Sequence, residues 1–296
     1  MSELALPARR VAASDSRAIR AAAPVRYLVA AVALFIAALM IAPVALSFFA
    51  SIKPSADAVA IPPTYLPRTL SLENYWKIIH YQAGLWTYVS NSLIVAVMAI
   101  VFVLALCVPA GYGLARFKFR GKEVLFLMLL LPLMIPYQAL LSPLYLMFAK
   151  IGLANTHFGL AIIHTMLQLP FSIYLMRNSF EGVPRELEEA ARIDGAGSFQ
   201  CFWRVSLPLT VPGMITVALF AFITSWNEFL GALVVMNRET QFTVPIMLVG
   251  VRTGHMFSVD WGALQAGIIV SIIPCLAIYL FLQKYYVSGL LSGAVK

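Results

Sequence analysis

The chain has 296 residues, 61% of them hydrophobic and only 11% charged, whereas a soluble domain carries about 25% charged residues. This balance excludes an ordinary water-soluble domain and points to a polytopic helical membrane protein. The net charge of +8 does not indicate nucleic acid, because the basic residues fall in short segments beside apolar runs and not on one soluble face.

Charge-free intervals locate the spans. No Asp, Glu, Lys or Arg occurs in 27–52, 78–115, 124–149, 151–176, 205–227 or 261–283, and each interval exceeds the roughly 20 residues that cross a ~30 Å hydrocarbon core as a helix. The expected fold is therefore all-α. A cytoplasmic segment 1–26 precedes a membrane domain 27–283, with spans near 27–50, 88–114, 124–147, 158–176, 208–236 and 263–283; a polar loop occupies 178–207, and a tail 284–296 follows. The first interval comes after a basic segment, as in a signal peptide, but it is too long for that role. If the N-terminus is inside, fifteen Lys and Arg lie in inner segments and six in outer ones. The positive-inside rule then places both termini and the 178–207 loop in the cytoplasm.

In the first outer segment, Ser71 is a candidate N-cap. Leu72, Tyr75, Trp76 and Ile79 recur after it at helical spacing, with Glu73, Asn74 and Lys77 elsewhere around the helix. The pattern predicts a short amphipathic helix on the outer membrane surface, acting as an interfacial anchor or as a contact for an outside partner.

The third span holds Pro132, Pro136 and Pro143, with Tyr137 and Gln138 between them. Each proline frees a backbone carbonyl and bends the helix, which suits either a pathway-lining helix or packing kinks. On the fourth span, His164 and Gln168 lie four apart and share one face, where interhelical hydrogen bonding is the expected role.

The loop 178–207 is strongly punctuated. Pro184 suits a helix start, and Glu186, Glu188 and Glu189 suit its first turns. Val183, Leu187, Ala190 and Ala191 make an apolar face. Gly195 and Gly197 end the helix, Ser198 is placed to cap a second one, and Pro208 to open the fifth span. A short polar helix between membrane spans is what a membrane subunit needs if a separate cytosolic machine is to push on it. Further on, Trp226, Asn227 and Glu228 put an acid in apolar surroundings, about 30 Å along the span from Pro208. Such groups are expensive and face a cavity or a partner.

Residues 189–208 read E-A-A-x3-G-x9-V-x-L-P: Glu189, Ala190, Ala191, Gly195, Val205, Leu207 and Pro208. With this spacing the sequence resembles the membrane permease subunits of ATP-binding-cassette (ABC) importers, in which this loop is the coupling helix that docks into the cytosolic ATPase. Val205 stands where that family often has Ile. The C-terminus, with Gly289-Leu290 and then Gly293-Ala294-Val295-Lys296, resembles the carbohydrate-importer branch, of the shorter maltose-importer permease type, whose tail reaches the ATPase dimer interface.

The resemblance implies coupling roles for Glu189, Ala190, Ala191, Asp194, Gly195, Leu207 and Pro208, and an ATPase-facing tail at Gly289, Gly293 and Ala294. It implies a location in the bacterial inner membrane and four partners besides lipid: a second, homologous permease, two ATPase subunits and an extracytoplasmic solute-binding protein. For a sugar pathway, Trp226, Asn227, Glu228, Tyr137 and Gln138 have suitable stacking and hydrogen-bonding chemistry. The solute class left open is di- or oligosaccharide, polyol or glycerol phosphate.

No HExxH, GxSxG or Cys/His cluster at metal spacing occurs, so neither a metal site nor an enzyme is expected. Cys107, Cys201 and Cys275 form no paired motif. No GxxxxGK[ST] occurs either, so ATP and Mg would be bound by partner subunits. A stand-alone secondary transporter driven by an ion gradient is the alternative. It accounts for the spans and Glu228 but not for the loop, and no convincing inverted repeat is present.

Overall fold

A computed structural model describes residues 23–58, 64–253 and 259–294, with backbone only for 23–25, 56, 58 and 284–294. The described residues contain helices, turns and no strand. This follows from the bilayer, which leaves a spanning segment no water to satisfy its backbone and so favours helix.

Four helices are long and apolar enough to cross a membrane: α1 (Ala23–Ser51), α3 (Leu85–Arg116), α6 (His157–Glu181) and α11 (Trp261–Ala294). Between α1 and α3 lies the short α2 (Glu73–Ile79). The N-cap is Leu72 and not Ser71; Ser71, one residue earlier, accepts from Glu73 N at 3.2 Å through its Oγ. The buried positions are Asn74 and Ile78, while Leu72 and Trp76 face outward. Asn74 explains the seating: its amide donates to Ser51 O (3.0 Å) and Lys53 O (2.7 Å), pinning α2 to the end of α1.

Two expected spans are broken. The interval 124–147 does not form one kinked helix. It divides into α4 (Lys122–Leu130) with a 3₁₀ turn Leu131–Met134, and α5 (Tyr137–Lys150), which meet at 96°. Pro132 sits in the 3₁₀ turn, and Pro136, with extended backbone, is the N-cap of α5. A proline cannot donate an amide to the preceding turn, and it disfavours helical backbone in the residue before it. The interval 208–236 is also discontinuous. Pro208 lies in a helical segment Ser198–Leu209 that turns by 71° into α8 (Val211–Asn227), so the span opens at Val211. Glu228 then leaves helical geometry, and α9 (Leu230–Val235) follows. Among the described residues there are four candidate spans, or six if each bent pair is one crossing.

The helix of the 178–207 loop is α7 (Arg185–Ile193), and α10 (Val244–Thr253) precedes α11. The two largest core clusters centre on Ile78, Tyr88, Phe222, Trp226, Val244 and Met247 and on Val103, Cys107, Tyr112, Met176, Phe180 and Val217, with smaller ones around Leu160 and Phe148. Helices α3, α6 and α8 form the centre, and α1 leans on α11 with its apolar side chains uncovered. In the tail, the backbone of Gly289, Gly293 and Ala294 continues α11 as helix. Val295, Lys296 and most of the 1–26 segment lie outside the described residues.

Candidate functional site

The α7 region is built on local punctuation. Pro184, extended, is the N-cap of α7, and Asp194 its C-cap. Gly195 adopts φ +88°, the left-handed region open to glycine. Gly195 N donates to Arg192 O (3.0 Å) and Ala196 N to Ala191 O (2.9 Å), which is a Schellman closure. The next helical segment is capped by Gln200, whose Oε1 accepts from Gly197 N at 3.1 Å. Ser198 is that helix's first residue and makes no cap bond.

The expected apolar face is divided between surface and interior, with Val183 buried. Leu187 and Ala190 point outward; Glu188 and the half-buried Ala191 point inward. Glu188 is 4% exposed. It accepts from Arg116 Nε at 2.8 Å and from Ser206 Oγ, and Arg116 Nη2 donates to Val183 O at 2.7 Å. The last residue of α3, the start of the loop and the π-helical turn Cys201–Ser206 thus meet on one carboxylate. Sequence reasoning treated Glu188 only as a first-turn acid and Arg116 only as an inner-side charge. The available signal was slight: Glu188 shares a face with Ala191 and Arg192, the side opposite the exposed Glu186 and Glu189.

The outward surface is mixed. Ile193 is 87% exposed and Phe199 74%, with Leu187 and Trp203 also exposed. Phe199 and Trp203 stack with centroids 6.4 Å apart. Glu189, Asp194 and Pro208 are exposed around them, and Leu207 is partly buried. Apolar groups of this size on a polar loop mark a contact surface.

A second polar group lies between α6, α8 and the break after Asn227. His164 bonds Ser225 Oγ through Nδ1 (2.7 Å) and Glu228 Oε2 through Nε2 (3.1 Å), and Thr224 donates to Gln168 Oε1 (3.1 Å). His164 and Gln168 thus make the expected interhelical bonds. Trp226, expected beside a pathway, points elsewhere. Its ring is 1% exposed, stacks on Phe222 and donates to Ser271 O at 3.1 Å, so it is core of this chain. Asn227 and Gln138 are exposed; Tyr137 is partly buried. An apolar hollow of about 450 Å³ opens inside the α4–α5 elbow, with Tyr137 on its wall. No group of three His, Cys, Asp or Glu able to hold a metal occurs among the described residues.

The described residues thus define a helical membrane protein with two broken spans and a polar helix mounted on a buried ion pair. The chain belongs to the family of binding-protein-dependent transport system inner membrane components, whose model matches residues 107–291. It is 37% identical over 268 residues to the diacetylchitobiose uptake system permease protein DasC of Streptomyces coelicolor, covering 90% of this chain and 95% of that one. It is 35% identical over 265 residues to the arabinooligosaccharides transport system permease protein AraQ of Halalkalibacterium halodurans, covering 88% and 93%. Its fold matches a chain of a bacterial ABC transporter involved in import of the acidic polysaccharide alginate, with TM-score 0.78, 26% identity, and coverage of 90% and 98%. The chain is thus an ABC importer permease of the carbohydrate branch.

Proposed function

We propose that the chain is half of the translocation pathway of an importer for an oligosaccharide-class solute, worked by ATP-driven alternating access in a bacterial inner membrane. Each bent pair counts as one crossing, giving six spans, and the basic-residue asymmetry puts both termini inside. A homologous permease supplies the other half. Two cytosolic ABC ATPases, which bind ATP and Mg, seat against α7, and an extracytoplasmic binding protein delivers solute. The solute class is supported by the names of the relatives, which concern diacetylchitobiose, arabinooligosaccharides and alginate.

The observation that carries the reading is the Arg116–Glu188 mount beneath an exposed surface of Leu187, Glu189, Ile193 and Phe199. A docking helix transmits force only if it cannot rock on its own base, and a buried, multiply bonded ion pair prevents rocking. Glu189 is free to pair with basic groups of the ATPase, while Ala190 admits close approach. Gly195 closes the helix, and the Leu207-Pro208 turn passes the motion into α8. The tail at Gly289, Gly293 and Ala294 reaches toward the ATPase interface as a continuation of α11. Asn227 and Gln138, both exposed, are the pathway residues this reading retains.

The test is reconstitution of the membrane complex with its ATPase subunits and binding protein in proteoliposomes. Solute uptake that requires ATP and stops with Glu189→Lys or a bulky Gly195 substitution is expected. Uptake driven by an ion gradient without any ATPase subunit would establish the secondary transporter instead.

A further inference from the structure

Glu228 is surrounded by more structure than one ion pair. It is the residue at which α8 stops, and both of its oxygens are engaged: Oε1 accepts from Gly231 N at 2.7 Å and Oε2 from Ala232 N at 3.1 Å. The carboxylate therefore satisfies two of the free amides at the start of α9. His164 reaches the same Oε2 from α6 at 3.1 Å, with Glu228 9% exposed and His164 1%. The third neighbour is Tyr137, the first residue of α5. A Cβ built on Gly231 would collide with the Tyr137 hydroxyl and press on the Glu228 carboxylate, so both groups meet at that glycine. The hydroxyl is buried there without a hydrogen-bond partner.

The break in one span and the elbow in another thus meet at one acid. The far ends of the same pieces are also tied together. Val235, at the end of α9, packs with Phe148 of α5 and Ile163 of α6. Asn155, just beyond α5, donates its amide to Val235 O at 2.9 Å, and its Oδ1 accepts from Asn237 N and Arg238 N at 3.0 and 3.1 Å. Helices α5 and α9 are therefore joined at both ends.

We propose that Glu228 is a positioning residue: through its bonds to His164 and Gly231 and its packing beside Tyr137 it holds the two helix breaks together on α6, so that α5, α6 and α9 move as one body during transport. This proposal rests on the alternating-access reading above. It also removes Glu228 from direct solute contact, since its two oxygens already accept three hydrogen bonds within the chain. An isolated buried carboxylate would be costly; this one has its partners supplied, and losing them frees a joint.

The test uses the whole complex in proteoliposomes, with wild type first. If wild type shows no ATP-dependent uptake, the underlying reading fails before this one is tested. Given wild-type uptake, His164→Leu and Glu228→Gln are expected to lower it at least tenfold. ATP hydrolysis stimulated by the binding protein should stay within twofold, so that more ATP is used per solute, and the apparent KM for the loaded binding protein should not move. His164→Gln, which keeps a donor, should retain at least a third of the uptake. Gly231→Ala should uncouple in the same way while leaving the Glu228 side chain in the sequence, and Gly231→Ala with Tyr137→Phe should recover, because the hydroxyl is the closest group the methyl meets and the Glu228 contact is the looser one. A raised KM with unchanged turnover would overturn the proposal in favour of solute contact. A parallel fall in hydrolysis and uptake, or no rescue of Gly231→Ala by Tyr137→Phe, would also overturn it. If the Glu228 and His164 variants fail to assemble, the Gly231 and Tyr137 pair decides alone.

Discussion

Arg116 Nε donates to Glu188 Oε1 at 2.8 Å, and both side chains are only 5% exposed. This pair joins the C-terminal end of α3 to the middle of α7. Taking one member away leaves the other charge buried and unmatched, a situation that costs about 3–5 kcal/mol. Glu188→Ala and Arg116→Ala should therefore each lower the thermal stability of the solubilised protein and open the 183–206 loop to protease. Glu188→Gln, which keeps an acceptor for Arg116 and Ser206, should do so less. Equal protease resistance in all three variants would mean that the loop is held by other contacts.

Gly195 tests backbone geometry alone. Nothing lies within 4 Å of a Cβ added there, but φ is +88°. A non-glycine residue in this region costs about 1–2 kcal/mol. Gly195→Val should fray the last turn of α7 and weaken ATPase association while membrane insertion persists. Gly195→Asn should lie close to wild type. Co-purification of the ATPase with each variant measures this; equal recovery from both would separate the α7 terminus from docking.

Trp226 is a core residue, and its loss should show as such. Trp226→Ala removes a stacked ring and the bond to Ser271 O, at a cost of about 3–5 kcal/mol. Trp226→Phe should keep most of the stability. Neither should change the apparent KM for solute in transport assays; a selective KM effect of Trp226→Phe would return the ring to the pathway.

On the opposite side from α7, Lys77 Nζ lies 2.9 Å from Asp260 Oδ2 and 3.2 Å from Glu73 Oε1, tying α2 to the start of α11. Burial pushes the Asp260 carboxyl up, but the Ala263 amide and the Lys77 ammonium outweigh it and hold it below its ordinary value. Burial pulls Lys77 down, and its two carboxylate partners reverse this to leave it raised. For a lowered acid, the stabilisation is present above the unfolded value, near 3.9, and is lost as pH falls through the lower folded value. For the raised lysine, it is full below about 10.4 and fades as pH rises through the folded value. Thermal unfolding should thus show Asp260→Asn less stable than wild type between pH 5 and 9, with the difference closing below about pH 4. A difference that persisted into acid would assign the effect to something other than charge.

What the sequence made legible was whatever depended on local chemistry. The four long helices follow from uninterrupted apolar runs, and the α7 boundaries from Pro184 and Gly195, which fix backbone angles wherever they stand. The interhelical bonding of His164 and Gln168 followed from two polar residues four apart on one apolar span. Long-range pairing was not legible. Nothing near Glu188 announces Arg116, 72 positions away, and a rotation of one residue decides whether Leu187 or Glu188 faces the body. The break at Glu228 also escaped notice, because the sequence there remains apolar and contains no proline; the acid itself ends α8 by capping α9. Pro132 and Pro136 signalled a bend, but the 96° elbow depends on both acting within one turn.

The most direct test of the account places a photo-crosslinking residue at Ile193, the most exposed apolar side chain of the α7 surface, in the assembled transporter. The account predicts an adduct with the ATP-binding subunit whose yield changes between nucleotide-free and ATP-bound states. No adduct in either state, or labelling of position 193 only by a reagent confined to the outer side, would contradict it.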